Sequence, residues 1–302
     1  MTEPAAPFPV SVVGVGNMGG AMAQRLLGLG WPVQVCDVRP ERLQLLASFG
    51  AVGHVQPDIA AMNSVVCIVA VVDAAQTEAV LFGPHGLAPA MPLGSVVMLC
   101  PTLAPEDVEA FARRLVPFGL HAVDAPMSGG PVRALDGSMS LMVACARNVF
   151  ERYQALFDAL SSRVFHVSER VGDGARTKLV NNLAAAINLV GAAEVLVMAQ
   201  KMGLDLGRTL DVIEQSSGQS WIGSDRMRRA IAGDYAPRAH LTLLEKDTRL
   251  ALEAAQAVGF VGPLGASARD VFARASAAGL SGLDDAILFD WLARSRDQAQ
   301  GL

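Results

Sequence analysis

The strongest constraint on this chain sits near its start. Val12-Val13-Gly14-Val15-Gly16-Asn17-Met18-Gly19 places three glycines at the spacing GxGxxG. Many loops match that spacing by chance. Here it follows a Val-rich run at residues 10–15 and opens an amphipathic stretch at residues 18–29, the strand–turn–helix setting in which the pattern has a mechanical meaning. The first glycine permits a tight turn, the second lets a pyrophosphate approach the backbone, and the third lets helix and strand lie close. The helix start then offers backbone N–H groups and a positive dipole end to phosphates. Gly14, Gly16, Asn17, Met18 and Gly19 are therefore candidate cofactor-binding residues.

The rest of the first half repeats this alternation. Strand-like runs rich in Val and Ile lie at residues 10–15, 33–36, 64–71, 95–99 and 121–125, with further runs at 138–144 and 164–166. Amphipathic stretches at residues 18–29, 40–49 and 105–117 fall between them. Such alternation predicts an α/β fold, a Rossmann-type doubly wound parallel sheet with helices on both faces. After Val171 no convincing strand pattern remains, and Gly203, Gly233, Gly259 and Gly279 fall where helices should end. The expected organisation is a nucleotide-binding domain over residues 1–171 and an all-helical domain over 172–302, entered by one long helix at about residues 175–202.

Composition narrows the class. Apolar residues make up 52% of the 302 positions, yet the longest unbroken apolar run, residues 65–72, ends at Asp73, well short of the ~20 residues of a spanning helix. The Ala- and Leu-rich stretch at residues 179–200 is interrupted by Asn181, Asn182, Asn188 and Glu194 and reads as a helix buried in protein. A net charge of −5 without a basic run argues against a nucleic-acid surface. Cys36, Cys67, Cys100 and Cys145 lack any CxxC spacing and read as buried free thiols of a reducing compartment. No secretory leader is visible, so a cytoplasmic enzyme without membrane partners is expected. The five histidines are scattered without ligand spacing, and no metal site is expected.

Other candidates sit at strand ends. Asp37 closes the second run, where a carboxylate would accept the adenosine ribose hydroxyls and repel a 2′-phosphate; NAD is favoured over NADP on that ground. Arg39 is the counter-signal, since a guanidinium there would pair with that phosphate. Ligands of open sheets lie beyond the carboxyl ends of strands, which brings in Val72 and Asp73 after one strand and Thr102 after the next. Asp73 reads equally well as a helix cap. Asp124-Ala125-Pro126-Met127-Ser128-Gly129-Gly130 follows a strand, and Ser128, Gly129 and Gly130 form either a plain turn or a carboxylate cradle of N–H groups and a hydroxyl. In Gly172-Asp173-Gly174-Ala175-Arg176-Thr177-Lys178-Leu179-Val180-Asn181-Asn182, Lys178 and Asn182 share one helix face. Their apolar surroundings argue against an ordinary solvated lysine.

Taken in order, these motifs resemble the β-hydroxyacid dehydrogenases, the family of 3-hydroxyisobutyrate dehydrogenase and tartronate semialdehyde reductase. The resemblance covers nearly the whole chain through the glycine loop, residues 124–130 with Ala134 and Gly137, the Gly172-to-Asn182 pattern, and Lys246-Asp247. It implies a hydride transfer between NAD(P) and a short 3-hydroxy acid or its semialdehyde. Residues 128–130 would bind the substrate carboxylate, Lys178 would be the catalytic acid/base and Asn182 would orient the substrate. Lys246 would lie near the nicotinamide, with Asp247 structural, and the protein would form a homodimer or homotetramer. A lysine at its ordinary pKa of ~10.4 is a poor base, and burial beside a cationic ring would lower it. Where many members carry an aspartate and a serine pair, this chain has Met98-Leu99-Cys100-Pro101-Thr102-Leu103. That stretch, like Ser217-Gly218-Gln219-Ser220-Trp221, looks more like the L-threonate dehydrogenase branch. Arg133 is a candidate for additional substrate oxygens, and Trp221 reads as core packing rather than a cover over the site. The competing readings are an imine reductase of the same fold, which generally lacks the helix lysine, and a non-catalytic cofactor-binding module.

Overall fold

A computed structural model describes residues 7–298 and divides the chain into two compact units, residues 1–178 and 179–302. The division falls inside a long helix, later than the boundary after Val171 expected from composition.

The first unit is built on a nine-stranded sheet. Its strands are β1 (Val10–Val13), β2 (Val33–Cys36), β3 (Val52–His54), β4 (Val66–Val69), β5 (Val96–Leu99), β6 (His121–Asp124), β7 (Met127–Ser128), β8 (Ser140–Ala144) and β9 (Arg163–Ser168). The order is β3-β2-β1-β4-β5-β6-β8-β7, with β9 also paired to β8. Strands β1 to β6 are parallel, and β8 runs antiparallel to β6. Period-2 alternation sorts the side chains onto two faces. Val12, Ile68 and Met98 join one buried cluster, whereas Val13, Cys67, Val69, Val97 and Leu99 join the other. Both faces are covered, which is why these strands read as continuous apolar runs.

Helices α1 (Asn17–Gly28) and α7 (Arg147–Leu160) supply Met22, Leu26, Leu156 and Phe157 to the first cluster. Helices α3 (Pro57–Ala61), α4 (Ala74–Phe82) and α5 (Pro105–Leu115) cover the other with Ala60, Leu81, Val108 and Phe111. Helices α2 (Pro40–Ala47) and α6 (Gly130–Asp136) complete the connections. The sequence pattern did not foresee β3, β7, α3, α4, α6 or α7. Strands β3 and β7 have three and two residues, too short to alternate, and the apolar content of α4 surrounds the helix rather than forming a stripe.

Helix α8 (Asp173–Lys201) begins in the first unit, and its residues from Leu179 onward belong to the second. There it is joined by α9 (Leu206–Glu214), α10 (Trp221–Ile231), α11 (Leu241–Ala257), α12 (Pro263–Ala275) and α13 (Leu288–Gln298). Ala186, Leu189, Ala193 and Leu196 recur at helical spacing along α8 and meet Met227, Leu241, Leu244, Phe272 and Leu288 in one buried cluster. By length and composition α8 is apolar enough to cross a membrane; this stripe makes it the core helix of its unit. Gly203, Gly233, Gly259 and Gly279 all adopt positive φ, as expected of residues that end helices. Trp221, expected in the core, instead stands 47% exposed at the first position of α10.

Candidate active site

Strand register decides where the site lies in the first unit. Cys36, Val13, Val69, Leu99 and Asp124 stand in one row across β2, β1, β4, β5 and β6. Every loop that leaves this row departs from the same edge of the sheet. That edge carries the glycine loop, Asp37, the segment with Val72 and Asp73, Thr102, and residues 128–130.

The glycine loop is packed so tightly that its composition is forced. Gly14 has φ +88°, and a Cβ there would lie 2.9 Å from the Ala70 backbone. A Cβ on Gly19 would stand 2.1 Å from the Gly14 carbonyl oxygen. Gly16 caps α1 without a side chain and is bounded only by the Arg39 guanidinium, 3.6 Å from where a Cβ would be. These are the properties of a cradle that admits a phosphate group at a helix start. Asn17 opens α1, its Oδ1 accepting from Arg42 at 3.5 Å, and Met18 packs against the buried cluster.

Asp37 is buried, and its carboxylate is engaged. Oδ2 accepts the Val15 N–H at 2.9 Å, while Oδ1 accepts the Arg39 N–H at 3.0 Å and Arg39 Nε at 3.2 Å. The acid therefore clamps the glycine loop and holds Arg39 beside it. Asp73 adopts the capping geometry: its Oδ1 accepts the Gln76 N–H at 2.8 Å at the start of α4. Val72 is half-exposed, and Thr102 lies partly buried beyond β5.

Ser128 ends β7, opposite Ser140 of β8. Gly129 and Gly130 follow with φ +133° and +74°, and a Cβ on Gly130 would meet open space. The Arg133 side chain folds back against Gly129, with Nε donating to Ser138 Oγ at 3.3 Å. In α8, Lys178 is only 7% exposed.

Asn182, one turn later, belongs to the second unit. Its Nδ2 donates to Asp247 Oδ2 at 2.6 Å, and its Oδ1 accepts from Asn181 at 3.1 Å. Lys246 Nζ lies 3.1 Å from the other oxygen of Asp247. Asp247 is thus more than the structural neighbour expected from its sequence position: it joins Asn182 to Lys246. Only the adjacency of Lys246 and Asp247 hinted at this, because 65 residues separate Asn182 from Asp247. Asp124 also went unassigned in the sequence. It is 1% exposed, its Oδ2 accepts the N–H groups of Gly172 and Ala175, both at 2.9 Å, and burial pushes its carboxyl up to about 6 against those N–H groups.

The four cysteines are free and buried. Burial raises all four thiols, Cys36, Cys67 and Cys145 to about 12, so none is a thiolate near neutrality.

Comparison with known proteins places this arrangement. Residues 9–168 match the profile of the NAD-binding domain of 6-phosphogluconate dehydrogenase. Residues 172–292 match that of the NAD-binding domain of NADP-dependent 3-hydroxyisobutyrate dehydrogenase. An L-threonate dehydrogenase of Cupriavidus necator is 37% identical over 91% of this chain and 93% of its own. A 3-hydroxyisobutyrate dehydrogenase of Pseudomonas aeruginosa is 33% identical over 87% and 90%. The crystal structure of a 3-hydroxyisobutyrate dehydrogenase from Salmonella typhimurium superposes with TM-score 0.88 at 33% identity, covering 94% of this chain and 99% of that one. The forced glycine cradle and these matches along nearly the full length agree: the chain belongs to the β-hydroxyacid dehydrogenase family of NAD(P)-dependent oxidoreductases.

Proposed function

We propose that the chain interconverts a short 3-hydroxy acid and its carbonyl form, with Lys178 as the general acid/base. The substrate would be threonate-like, or else 3-hydroxyisobutyrate or the glycerate–tartronate semialdehyde pair. The observation that carries this reading is the burial of Lys178 within the same unit as the glycine cradle and residues 128–130. Burial keeps competing water away from the amino group, which suits a proton carrier held at a reacting oxygen.

Gly14, Gly16, Asn17, Met18 and Gly19 would hold the cofactor pyrophosphate, Asp37 the adenosine ribose, and Val72, Asp73, Thr102 and Lys246 the nicotinamide half. The bound cofactor supplies the hydride acceptor or donor. Ser128, Gly129 and Gly130 would seat the substrate carboxylate. Lys178 takes the hydroxyl proton during oxidation and returns it during reduction. Asn182, its amide direction fixed by Asp247, would hold the reacting oxygen. Arg133, folded over Gly129, would read extra hydroxyl oxygens on a longer acid, which favours a threonate-like substrate. Asp37 favours NAD, and Arg39 beside Gly16 is the residue that would admit NADP.

The chain would act in the cytoplasm as a homodimer or homotetramer, since Val180, Val195 and Met198 leave an apolar surface exposed on its core helix. Light scattering of the purified protein reads the assembly directly.

The deciding experiment follows reduced-cofactor absorbance with NAD and NADP separately, across threonate, glycerate, 3-hydroxyisobutyrate and 4-hydroxybutyrate. Turnover of one acid is expected, with Lys178→Ala lowering kcat by about 10²–10⁴-fold while cofactor affinity stays near normal. Near-normal turnover in Lys178→Ala would overturn the lysine assignment. Silence on every acid, with turnover of a cyclic imine, would overturn the substrate class.

A further inference from the structure

Asp124 does something unusual for a strand-end carboxylate: it caps a helix from far away in the chain, accepting the N–H of Gly172, 48 residues later. The two N–H groups it accepts belong to the residue just before α8 and to the third residue of that helix. One oxygen thereby satisfies two of the donors that a helix start leaves open.

The glycines of the Gly172-x-Gly174 pattern have their explanation here. Gly172 takes φ +100° to turn the chain into the helix, and a Cβ on Gly174 would lie 2.8 Å from Asp124 Cγ and 2.9 Å from its carbonyl oxygen. No side chain fits between this carboxylate and the helix. The same turn is pinned from outside by Arg176, whose guanidinium meets Glu109 at 2.8 Å and Asp173 at 3.2 Å. Lys178 stands one turn beyond Gly174. In the other direction, the chain runs from Asp124 through three residues to Ser128. One buried carboxylate is therefore tied covalently to the proposed substrate cradle and by hydrogen bonds to the helix that carries the proposed acid/base.

We infer that Asp124 is a positioning residue for the reaction, fixing the depth and rotation of the first turn of α8 and so the place of the Lys178 amino group relative to residues 128–130. This rests on the reading of Lys178 given above. An α-helix advances 1.5 Å and turns 100° per residue, so a slip of part of one residue moves a side-chain tip by more than an ångström. Misplacement of that size costs about 10²-fold in rate. Placement requires an acceptor of the right length, not a charge, and a carboxyl raised to about 6 by burial agrees with that.

The test uses the full chain, the acid identified above and two substitutions that keep a hydrogen-bond acceptor. Asp124→Asn preserves the length and removes the charge. Asp124→Glu keeps the charge and adds one methylene. Placement predicts that Asp124→Asn loses no more than about fivefold in kcat and that Asp124→Glu loses about 50-fold or more, with KM for the cofactor little changed in both. The reverse order would mean that charge, not placement, matters. Equal kcat per folded molecule in both variants, with only the melting temperature lowered, would leave Asp124 a stability residue and overturn the proposal. A second readout does not need turnover. The rate of reductive methylation of Lys178, followed by mass spectrometry, should rise at least about fivefold in Asp124→Glu and stay near wild type in Asp124→Asn, because only the longer side chain displaces the turn. An unchanged rate in Asp124→Glu also overturns the proposal, whereas an active Lys178→Ala would bring down the lysine reading alone.

Discussion

Buried carboxylates are satisfied by different partners in the two units. In the sheet unit, Asp124 receives the N–H groups of Gly172 and Ala175, and Asp37 those of Val15 and Arg39. In the helical unit, Asp247 receives the Asn182 amide, Asp285 the Arg226 guanidinium at 2.5 Å, and Asp284 the Arg229 guanidinium at 2.7 Å together with backbone groups. Backbone partners are fixed by strand register and by glycines, and they survive most substitutions. Side-chain partners depend on one particular residue far away in the chain. The first unit is therefore robust in its charges and fragile in the glycines of its loop, whereas the charges of the second depend on single distant side chains.

The largest test of this contrast is Arg229→Ala. Arg229 is 7% exposed and Asp284 fully buried, so the substitution takes the guanidinium from a buried carboxylate and leaves it its backbone N–H donors without the compensating charge. A loss of about 3–5 kcal/mol is expected in urea unfolding. Its counterpart is Arg39→Ala, beside Asp37. That guanidinium is half-exposed and Asp37 keeps the Val15 N–H, so a loss below about 1 kcal/mol is expected. Equal losses in the two variants would break the comparison.

The converse test uses the glycines. Gly19→Ala forces a Cβ to within 2.1 Å of a backbone oxygen, and overpacking of this kind costs about 1–3 kcal/mol. Cofactor affinity, read by quenching of protein fluorescence, should fall with it. Gly16→Ala meets only the movable Arg39 guanidinium at 3.6 Å. It should leave the urea midpoint unchanged while still weakening cofactor binding, because the new methyl occupies space meant for a phosphate. If Gly16→Ala destabilised the chain as much as Gly19→Ala, backbone crowding would not be what selects these glycines.

The same contrast explains what could be read without a structure. The sheet and the glycine loop were legible because both rest on local pattern: short Val- and Ile-rich runs, and glycines at a fixed spacing between a strand and a helix. The link from Asn182 to Asp247 and the pairing of Arg229 with Asp284 were not, because each joins residues more than 50 positions apart through side chains alone, and one sequence carries no trace of such a pairing. Asp73 shows the intermediate case. Its strand-end position was equally suited to a cap and to a ligand, and the geometry of α4 uses it as a cap. Trp221 was misplaced because an apolar ring in a helical domain defaults to the core, and nothing local says which side of the first turn faces solvent.

The smallest effect is the one that separates Asp284 from Asp124 by sign. At Asp284, burial is outweighed by Arg229 and by the N–H groups of Ala286, Arg238 and Ala239, which hold the carboxyl down at about 2. Below the unfolded value of ~3.9, the unfolded chain binds this proton more readily than the folded one. The stability that Asp284 contributes is therefore present above about pH 4 and is lost as pH falls toward 2. Asp124 runs the other way. Burial outweighs its N–H partners, so its folded value of about 6 lies above the unfolded one; its contribution is present below about pH 4 and is lost as pH rises through 6. Urea midpoints of Asp284→Asn and Asp124→Asn, each compared with the wild type, isolate the two groups. Between pH 2 and 4, the advantage of the wild type over Asp284→Asn should grow with pH. Between pH 4 and 7, its advantage over Asp124→Asn should shrink. Slopes of the same sign would mean that the N–H groups around Asp124 hold it ionised against burial as firmly as Arg229 and its companion N–H groups hold Asp284.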